Sequence, residues 1–196
     1  MKFTWFIAVT IAMSALLPAR ANLIVNGGFE TGDITGWDGS GAVQIFAGSP
    51  PYYTQAGNYA AGFSTDNPSN PPSTLYQTIP TTPGDVYQLS YWVNPGRPNP
   101  NSFEVLWGGA LIPGSVLTNI PPPAIYYEYS FDLTATAKDT TVEFEVANYG
   151  NETFLDSISV NPVPDAAPTL VLLAFATVSI ALFRNSARPS LTTSAR

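Results

Sequence analysis

Carboxylates are the most numerous side chains of this chain that could act as a general acid or base. The 196 residues include no histidine and no cysteine, which removes the commonest general base, thiolate metal sites and disulfides. Nucleophilic triads need a base, and Lys138 lies in a polar turn beside Asp139. Glu143 and Glu145 could form a glycosidase pair, but they alternate with apolar residues, which places them on the wet face of a strand. The sequence therefore predicts a protein that is not an enzyme.

Aromatic side chains provide a second kind of chemistry, because the C–H faces of sugars stack on phenol and indole rings. Tyr52 and Tyr53 follow a proline-containing turn, and Trp92 lies on the polar side of its strand. Tyr126 lies on the same side of its predicted strand as the polar residues Glu128, Ser130 and Asp132, and it is expected to face water. These four residues are the predicted glycan contacts, with core or edge packing as the alternative for each. Trp107 is expected in the core.

Alternating apolar and polar residues dominate the middle of the chain and have the period of β-strands. The clearest runs are 87–93, 103–107, 127–133 and 142–146. Turn-forming clusters rich in proline, glycine and asparagine separate them, and no amphipathic helix lies between them. Short aromatic strands with this spacing predict an all-β fold, an antiparallel β-sandwich.

Residues 22–161 form the predicted globular domain, and their 140 residues are enough for one hydrophobic core. This region contains 13 acidic and two basic residues, which gives a net charge of −11. Such a charge repels nucleic acids and anionic lipids, and it suits divalent cations or neutral glycans. Acidity also keeps many secreted proteins soluble, so the charge alone indicates no ligand.

The N-terminus has the three parts of an export signal. Lys2 supplies a positive charge, 5–17 is apolar, and the sequence Ala19-Arg20-Ala21 is a small-residue cleavage site. We therefore expect 1–21 to be a signal peptide and the exported chain to begin at Asn22.

The C-terminal part, 162–196, contains a second hydrophobic segment. Residues 166–183 are 18 uncharged residues, followed by Arg184 and Arg188. As a helix this segment would be roughly 27 Å long, close to a hydrocarbon thickness of about 30 Å. The sequence predicts a transmembrane helix at about 166–183, with the arginines on the cytoplasmic side.

A short motif made of Val163, Pro164 and Asp165 precedes this helix. The order of motif, apolar helix and arginines resembles the PEP-CTERM sorting signals of bacteria, and the motif is most similar to the VPDSG variant. It departs from that variant at Ala166 and Ala167, where serine and glycine are usual. The resemblance implies an exosortase-type protease as partner, anchoring in the inner membrane before sorting, and delivery to the cell surface or medium.

The body resembles the galactose-binding-like jelly roll of many carbohydrate-binding modules. The similarity rests on an opening segment at 22–37, a middle segment at 75–80 and a closing segment at 154–160. Ser157 stands where such modules usually have a second aspartate. We expect the opening and closing segments to lie side by side, with Asn26-Gly27-Gly28 supplying the positive φ angles of a tight bend.

The same resemblance implies a structural calcium ion that ties the opening loop to the closing strand. Glu30 and Asp156 match the positions of its carboxylate ligands, with carbonyls near Gly32 or Asn58 as further ligands. Calcium takes six to eight oxygens, so two carboxylates, carbonyls and water meet its requirement. The alternative is that Glu30 caps a turn and Asp156 is a solvated strand residue.

Together these features predict an exported, surface-sorted, non-catalytic jelly roll that associates with extracellular polysaccharide or binds glycans. One alternative is a purely structural component of the surface or biofilm matrix without a defined small ligand. A weaker alternative is a carboxylate-dependent glycan hydrolase.

Overall fold

The computed structural model describes residues 21–64, 70–95, 101–118, 125–148 and 152–164. Within these ranges the backbone forms eleven β-strands and no helix, which confirms the all-β prediction. The strands are β1 (Asp38–Ser40), β2 (Ala42–Ala47), β3 (Tyr59–Ser64), β4 (Ser73–Pro80), β5 (Val86–Asn94), β6 (Asn101–Trp107), β7 (Ala110–Leu111), β8 (Leu117–Thr118), β9 (Tyr127–Thr134), β10 (Asp139–Asn148) and β11 (Thr153–Pro162).

These strands form two antiparallel sheets. The first has the order β1-β4-β10-β6-β7, with β8 also paired to β6, and the second has the order β2-β3-β11-β5-β9. From β3 to β6, and again from β9 to β11, successive strands alternate between the two sheets. The structure is therefore the predicted jelly-roll sandwich, in which each crossover places sequence neighbours in opposite layers.

The core lies between the sheets and is rich in aromatic rings. Tyr91 of β5 contacts Phe144 of β10 edge-on, with ring centroids 5.4 Å apart, and Phe103 of β6 at 5.6 Å. Trp107 is buried, as expected from its strand parity. Fully burying each large apolar side chain contributes about 1.5–3 kcal/mol, so the alternation seen in the sequence is the main determinant of the fold.

The opening segment runs beside the closing strand β11, as predicted, although it does not form a regular strand. The Leu23 amide donates to the Val160 carbonyl at 2.9 Å. The side chain of Asn22 extends the contact, since its Oδ1 accepts from the Val160 amide at 2.9 Å and its Nδ2 donates to the Ile158 carbonyl at 3.3 Å. The first residue after the predicted cleavage site is therefore part of the folded domain.

The bend after this segment does not have the positive φ angles that the sequence predicted for its two glycines. Asn26 has φ 52° and Phe29 has φ 56°, whereas neither Gly27 nor Gly28 has a positive φ. Asparagine tolerates the left-handed region because its side chain bonds nearby backbone. Gly27 is needed for a different reason: a Cβ there would overlap the backbone carbonyl oxygen of Ile158.

The signal peptide and the C-terminal sorting signal predicted from the sequence lie mostly outside the described residues. Val163 extends the second sheet, because its amide donates to the Val86 carbonyl at 2.8 Å. Pro164 is the last residue described, so Asp165 and the predicted span at 166–183 lie outside the described residues, as does the signal peptide up to residue 20. No helix capable of crossing a membrane occurs in the described ranges.

Candidate functional site

A loop at 48–58 joins β2 to β3 and folds over the outer face of the second sheet. The Gly48 amide donates to the Asn58 carbonyl at 2.9 Å, which closes the base of the loop. The loop buries outward-facing groups of the sheet beneath it, including Ala60 and Asp156. We call this segment the covering loop. It also carries Tyr52 and Tyr53, the two tyrosines that the sequence singled out.

The two loop tyrosines differ in how they are held. Tyr53 packs on the outer face of the sheet, with its ring stacked on Phe46 at 6.4 Å and edge-on to Phe154 at 5.6 Å. Tyr52 lies edge-on to Tyr53 at 4.6 Å. Tyr52 is 62% exposed and Tyr53 40% exposed, so the outer ring is accessible while the inner ring supports it.

Tyr126 does not face water freely as the sequence predicted. Its side chain is half-buried, and its hydroxyl donates to the Tyr53 carbonyl at 2.7 Å. Burial raises the pKa of the Tyr126 phenol, and the negative charge of nearby Asp156 raises it further. The expectation failed because the covering loop lies over this end of β9, which strand parity alone does not reveal. Tyr126 therefore anchors the loop.

Trp92 lies on the outer face of β5 and is half-buried. Its cross-strand neighbours are Asp156 on β11 and Glu128 on β9. Asn94, two residues further along the same face, donates from Nδ2 to the Tyr52 carbonyl at 3.4 Å. The fold thus places Trp92 and the covering loop on one face of the second sheet, and we call Tyr52, Tyr53 and Trp92 the aromatic surface.

Polar residues continue this face along β5 and β11. Ser90 and Ser159 are cross-strand partners whose hydroxyls hydrogen-bond at 2.8 Å. Asn161 donates from Nδ2 to the Ser159 hydroxyl at 3.3 Å, and Gln88 lies opposite Asn161. The sequence did not single out these residues, because their position side by side depends on the strand register and not on their types.

Glu30 holds one end of the covering loop. Its carboxylate accepts hydrogen bonds from the backbone amides of Asn58, at 2.9 Å, and Tyr59, at 3.1 Å. The loop approaches so closely that a Cβ at Gly57 would overlap the carboxylate, and Gly57 also has φ +61°. Glu30 is therefore a loop anchor, in addition to any role in binding a metal.

Asp156 holds the other part of the loop and is fully buried. Its Oδ2 accepts from the amides of Gln55 at 2.8 Å and Ala56 at 3.2 Å. Burial raises the pKa of Asp156, as does Glu30, although the backbone amides act in the opposite direction. Ser157 donates its hydroxyl to Oε1 of Gln55 at 2.8 Å.

The two carboxylates lie near each other, since the charge of Glu30 contributes to the raised pKa of Asp156. A Cβ at Gly28 would lie 3.8 Å from both Asp156 Oδ1 and Glu30 Cγ, at ordinary contact distance, so Gly28 lies beside both side chains. The described residues contain no group of three or more acidic, histidine or cysteine side chains, so carbonyls and water would have to complete a calcium shell. Calcium binding stays a prediction.

Glu143 and Glu145 lie on the first sheet, away from the aromatic surface. They are half-buried, and Glu145 stands directly opposite Glu104 on β6. Burial raises the pKa of Glu145, and repulsion from Glu104 and Glu143 adds to the effect. This pair is part of the outer polar face that the sequence predicted.

Solved carbohydrate-binding modules share this fold. The module TmCBM61, solved with β-1,4-galactotriose, superposes with a TM-score of 0.57 at 20% identity, over 73% of this chain and 99% of that chain. The CBM22-1 xylan-binding domain of Xyn10C from Paenibacillus barcinonensis gives a TM-score of 0.50 at 14% identity, over 71% and 94%. The enzymatically active domain of tailspike protein 4 from bacteriophage CBA120 gives 0.54 at 16% identity, over 72% of this chain and 21% of that chain.

No protein-family model matches the chain, and no curated protein matches it. At 20% identity and below, the similarities establish the jelly-roll fold alone and leave the function and the ligand open. Besides binding modules, the neighbours include this enzymatically active tailspike domain and the CBM22-1-GH10 modules of an endo-1,4-β-D-xylanase from Clostridium thermocellum.

Proposed function

We propose that this domain is a non-catalytic glycan-binding module whose ligand contacts the aromatic surface. The observation that carries the proposal is the exposed ring of Tyr52, held on a loop that is fixed from below and lies on the same face as Trp92. Rigid aromatic rings beside polar groups are the usual means of sugar recognition. The galactotriose and xylan ligands named for modules with this fold support the same class of ligand.

A binding role agrees better with the described side chains than hydrolysis does. The cross-strand neighbours of Trp92 are both carboxylates: Asp156, which is buried and accepts hydrogen bonds from loop amides, and Glu128, which is exposed. A glycosidase needs one carboxyl group as an acid and another as a base or nucleophile, on either side of the scissile bond. Here one of the two groups is committed to holding the loop.

We further propose that the module is exported and sorted to the cell surface, where it associates with extracellular polysaccharide. The support is the signal-like N-terminus, the motif Val163-Pro164-Asp165 and the apolar segment at 166–183. An exosortase-type protease would be the processing partner, and the membrane would hold the chain only before sorting. The second candidate function, a structural matrix component without a defined ligand, is favoured by the high net negative charge.

A calcium ion held by Glu30 and Asp156 would have a structural role in this proposal. The ion would neutralise the buried charge of Asp156 and fix the segment between β2 and β3. Its effect on glycan binding would be indirect, through the covering loop that carries Tyr52 and Tyr53.

A glycan array with the purified protein tests the proposed function. We expect retention of at least one neutral polysaccharide, and loss of that signal in Tyr52→Ala. Leu111→Ala removes another large exposed apolar side chain, from the first sheet, and is the control. Binding to no glycan would reject the proposal and favour the structural role, and release of sugars from a bound polysaccharide would favour hydrolysis.

A further inference from the structure

The outer side of β5 forms a continuous strip that extends away from the covering loop. Tyr87, Leu89, Tyr91 and Val93 of this strand are buried in the core. The residues between them therefore point outward: Gln88, Ser90, Trp92 and Asn94. Asn94 is buried beneath the covering loop, so the accessible strip runs from Gln88 to Trp92. Over these residues the strand rises by roughly 13 Å, which is slightly longer than a disaccharide.

The neighbouring strand β11 lies beside this strip and adds a second row of hydrogen-bonding side chains. Ser159 lies opposite Ser90, and Asn161 lies opposite Gln88. All four side chains are at least partly exposed. Three of them are linked by hydrogen bonds, because Ser90 and Asn161 both bond to the Ser159 hydroxyl. The strip therefore presents hydroxyl and amide groups at fixed positions beyond the aromatic surface, where successive sugar hydroxyls could bind.

The other border of the strip is negatively charged. Glu128 and Asp132 on β9 are exposed and lie opposite Trp92 and Gln88. In the ranges that the structure describes, Lys138 is the one basic residue, and it lies in the turn between β9 and β10. A carboxylate-bearing glycan placed on this strip would be repelled by Glu128 and Asp132, and no basic side chain of the described ranges lies beside them.

We propose that the strip along β5 binds an internal stretch of a neutral polysaccharide, with the glycan chain running from the aromatic surface toward Gln88. This inference rests on the proposed glycan binding and adds the direction, the length and the charge class of the ligand. Trp92 and Tyr52 supply stacking at one end, and Ser90, Ser159 and Gln88 supply hydrogen bonds along the rest.

Calorimetric titration with defined sugars tests the length and direction. We would use the disaccharide to hexasaccharide ladders of β-1,4-linked galactose, xylose, glucose and mannose. For the ladder that binds, affinity should rise about tenfold or more between the disaccharide and the tetrasaccharide, because the longer chain fills more of the strip. Gln88→Ala should weaken the hexasaccharide several-fold and leave the disaccharide unchanged. Thr78→Ala, an exposed polar truncation on the first sheet, is the control.

Polygalacturonate at low salt tests the charge class, because screening is then weakest. No binding is expected, and Glu128→Gln with Asp132→Asn should permit it. Equal affinity for disaccharide and hexasaccharide, or tight binding of polygalacturonate by the unaltered protein, would overturn this inference while leaving glycan binding in place. Failure of every neutral ladder and of polygalacturonate would overturn the proposed function and this inference together.

Discussion

The phenol of Tyr126 donates a hydrogen bond to the backbone carbonyl of Tyr53 at 2.7 Å, and this bond joins the start of β9 to the covering loop. The relationship links residues 73 positions apart in sequence. It explains how an exposed tyrosine pair is held in one orientation on the surface. A preorganised loop loses less conformational entropy when a ligand binds, so the bond bears on affinity as well as on stability.

Removing this bond should loosen the loop without removing any ring. In Tyr126→Phe we expect a loss of about 1 kcal/mol in the free energy of unfolding and a several-fold weaker affinity for the bound glycan. Urea denaturation and calorimetric titration measure the two effects. Tyr76→Phe makes the same chemical change on the first sheet and should alter neither quantity. Unchanged affinity in Tyr126→Phe would show that the hydrogen bond does not orient the loop for binding.

The hydroxyl of Tyr91 is buried in the core without a hydrogen-bond partner in the described part of the chain. Burial raises the pKa of this phenol, and the neighbouring Tyr129 raises it further. A buried unpaired hydroxyl costs free energy because its hydration is lost. Tyr91→Phe should therefore raise the free energy of unfolding by about 1 kcal/mol, measured by urea denaturation. A loss of stability instead would mean that the hydroxyl has a partner in the folded protein.

Gly27 and Gly28 provide a matched pair for the contact between the opening segment and β11. A Cβ at Gly27 would overlap the Ile158 carbonyl, whereas a Cβ at Gly28 would have no neighbour closer than 3.8 Å. We expect Gly27→Ala to destabilise the fold by about 1–3 kcal/mol. Gly28→Ala should have a much smaller effect when EGTA is present. Equal melting temperatures for the two variants would contradict the close approach at Gly27.

Calcium should stabilise the protein if Glu30 and Asp156 hold the ion. Binding to the folded state alone adds about 2.7 kcal/mol when the ion is at a hundred times its dissociation constant. We therefore expect a higher melting temperature in calcium than in EGTA, and a lost response in Glu30→Ala. Glu143→Ala removes a carboxylate from the other sheet and should respond like the unaltered protein. A Glu30→Ala variant that still responds fully would reject the assignment of Glu30.

The sequence predicted those features that depend on local alternation. Trp107 and Phe144 are buried because period-two alternation assigns each to the inner face of its strand, and this pattern needs no knowledge of the partner strand. Asp156 and Tyr126 show where this reasoning stops. Strand alternation assigns both side chains to the outer face of the sheet. The loop between β2 and β3 covers them, and no local pattern in the sequence reveals where a loop folds.

The same limit applies to the candidate site. The sequence proposed Tyr52 from its place in a proline-containing loop and Trp92 from the side of its strand, but their common face depends on the contact between Asn94 and the loop. Ser90 and Ser159 are 69 residues apart, and only the register of β5 with β11 brings them together. Residue types therefore identified the rings, and the tertiary structure was needed to identify the polar strip.

The most direct measurement is a calorimetric titration of the bound neutral glycan into the unaltered protein and into the double variant Tyr52→Ala with Trp92→Ala. Loss of two stacking rings should weaken binding by a hundredfold or more, on the order of 3 kcal/mol, while circular dichroism shows the same β-structure. Leu111→Ala should bind like the unaltered protein. Retention of full affinity by the correctly folded double variant would show that the aromatic surface is not the glycan-binding site.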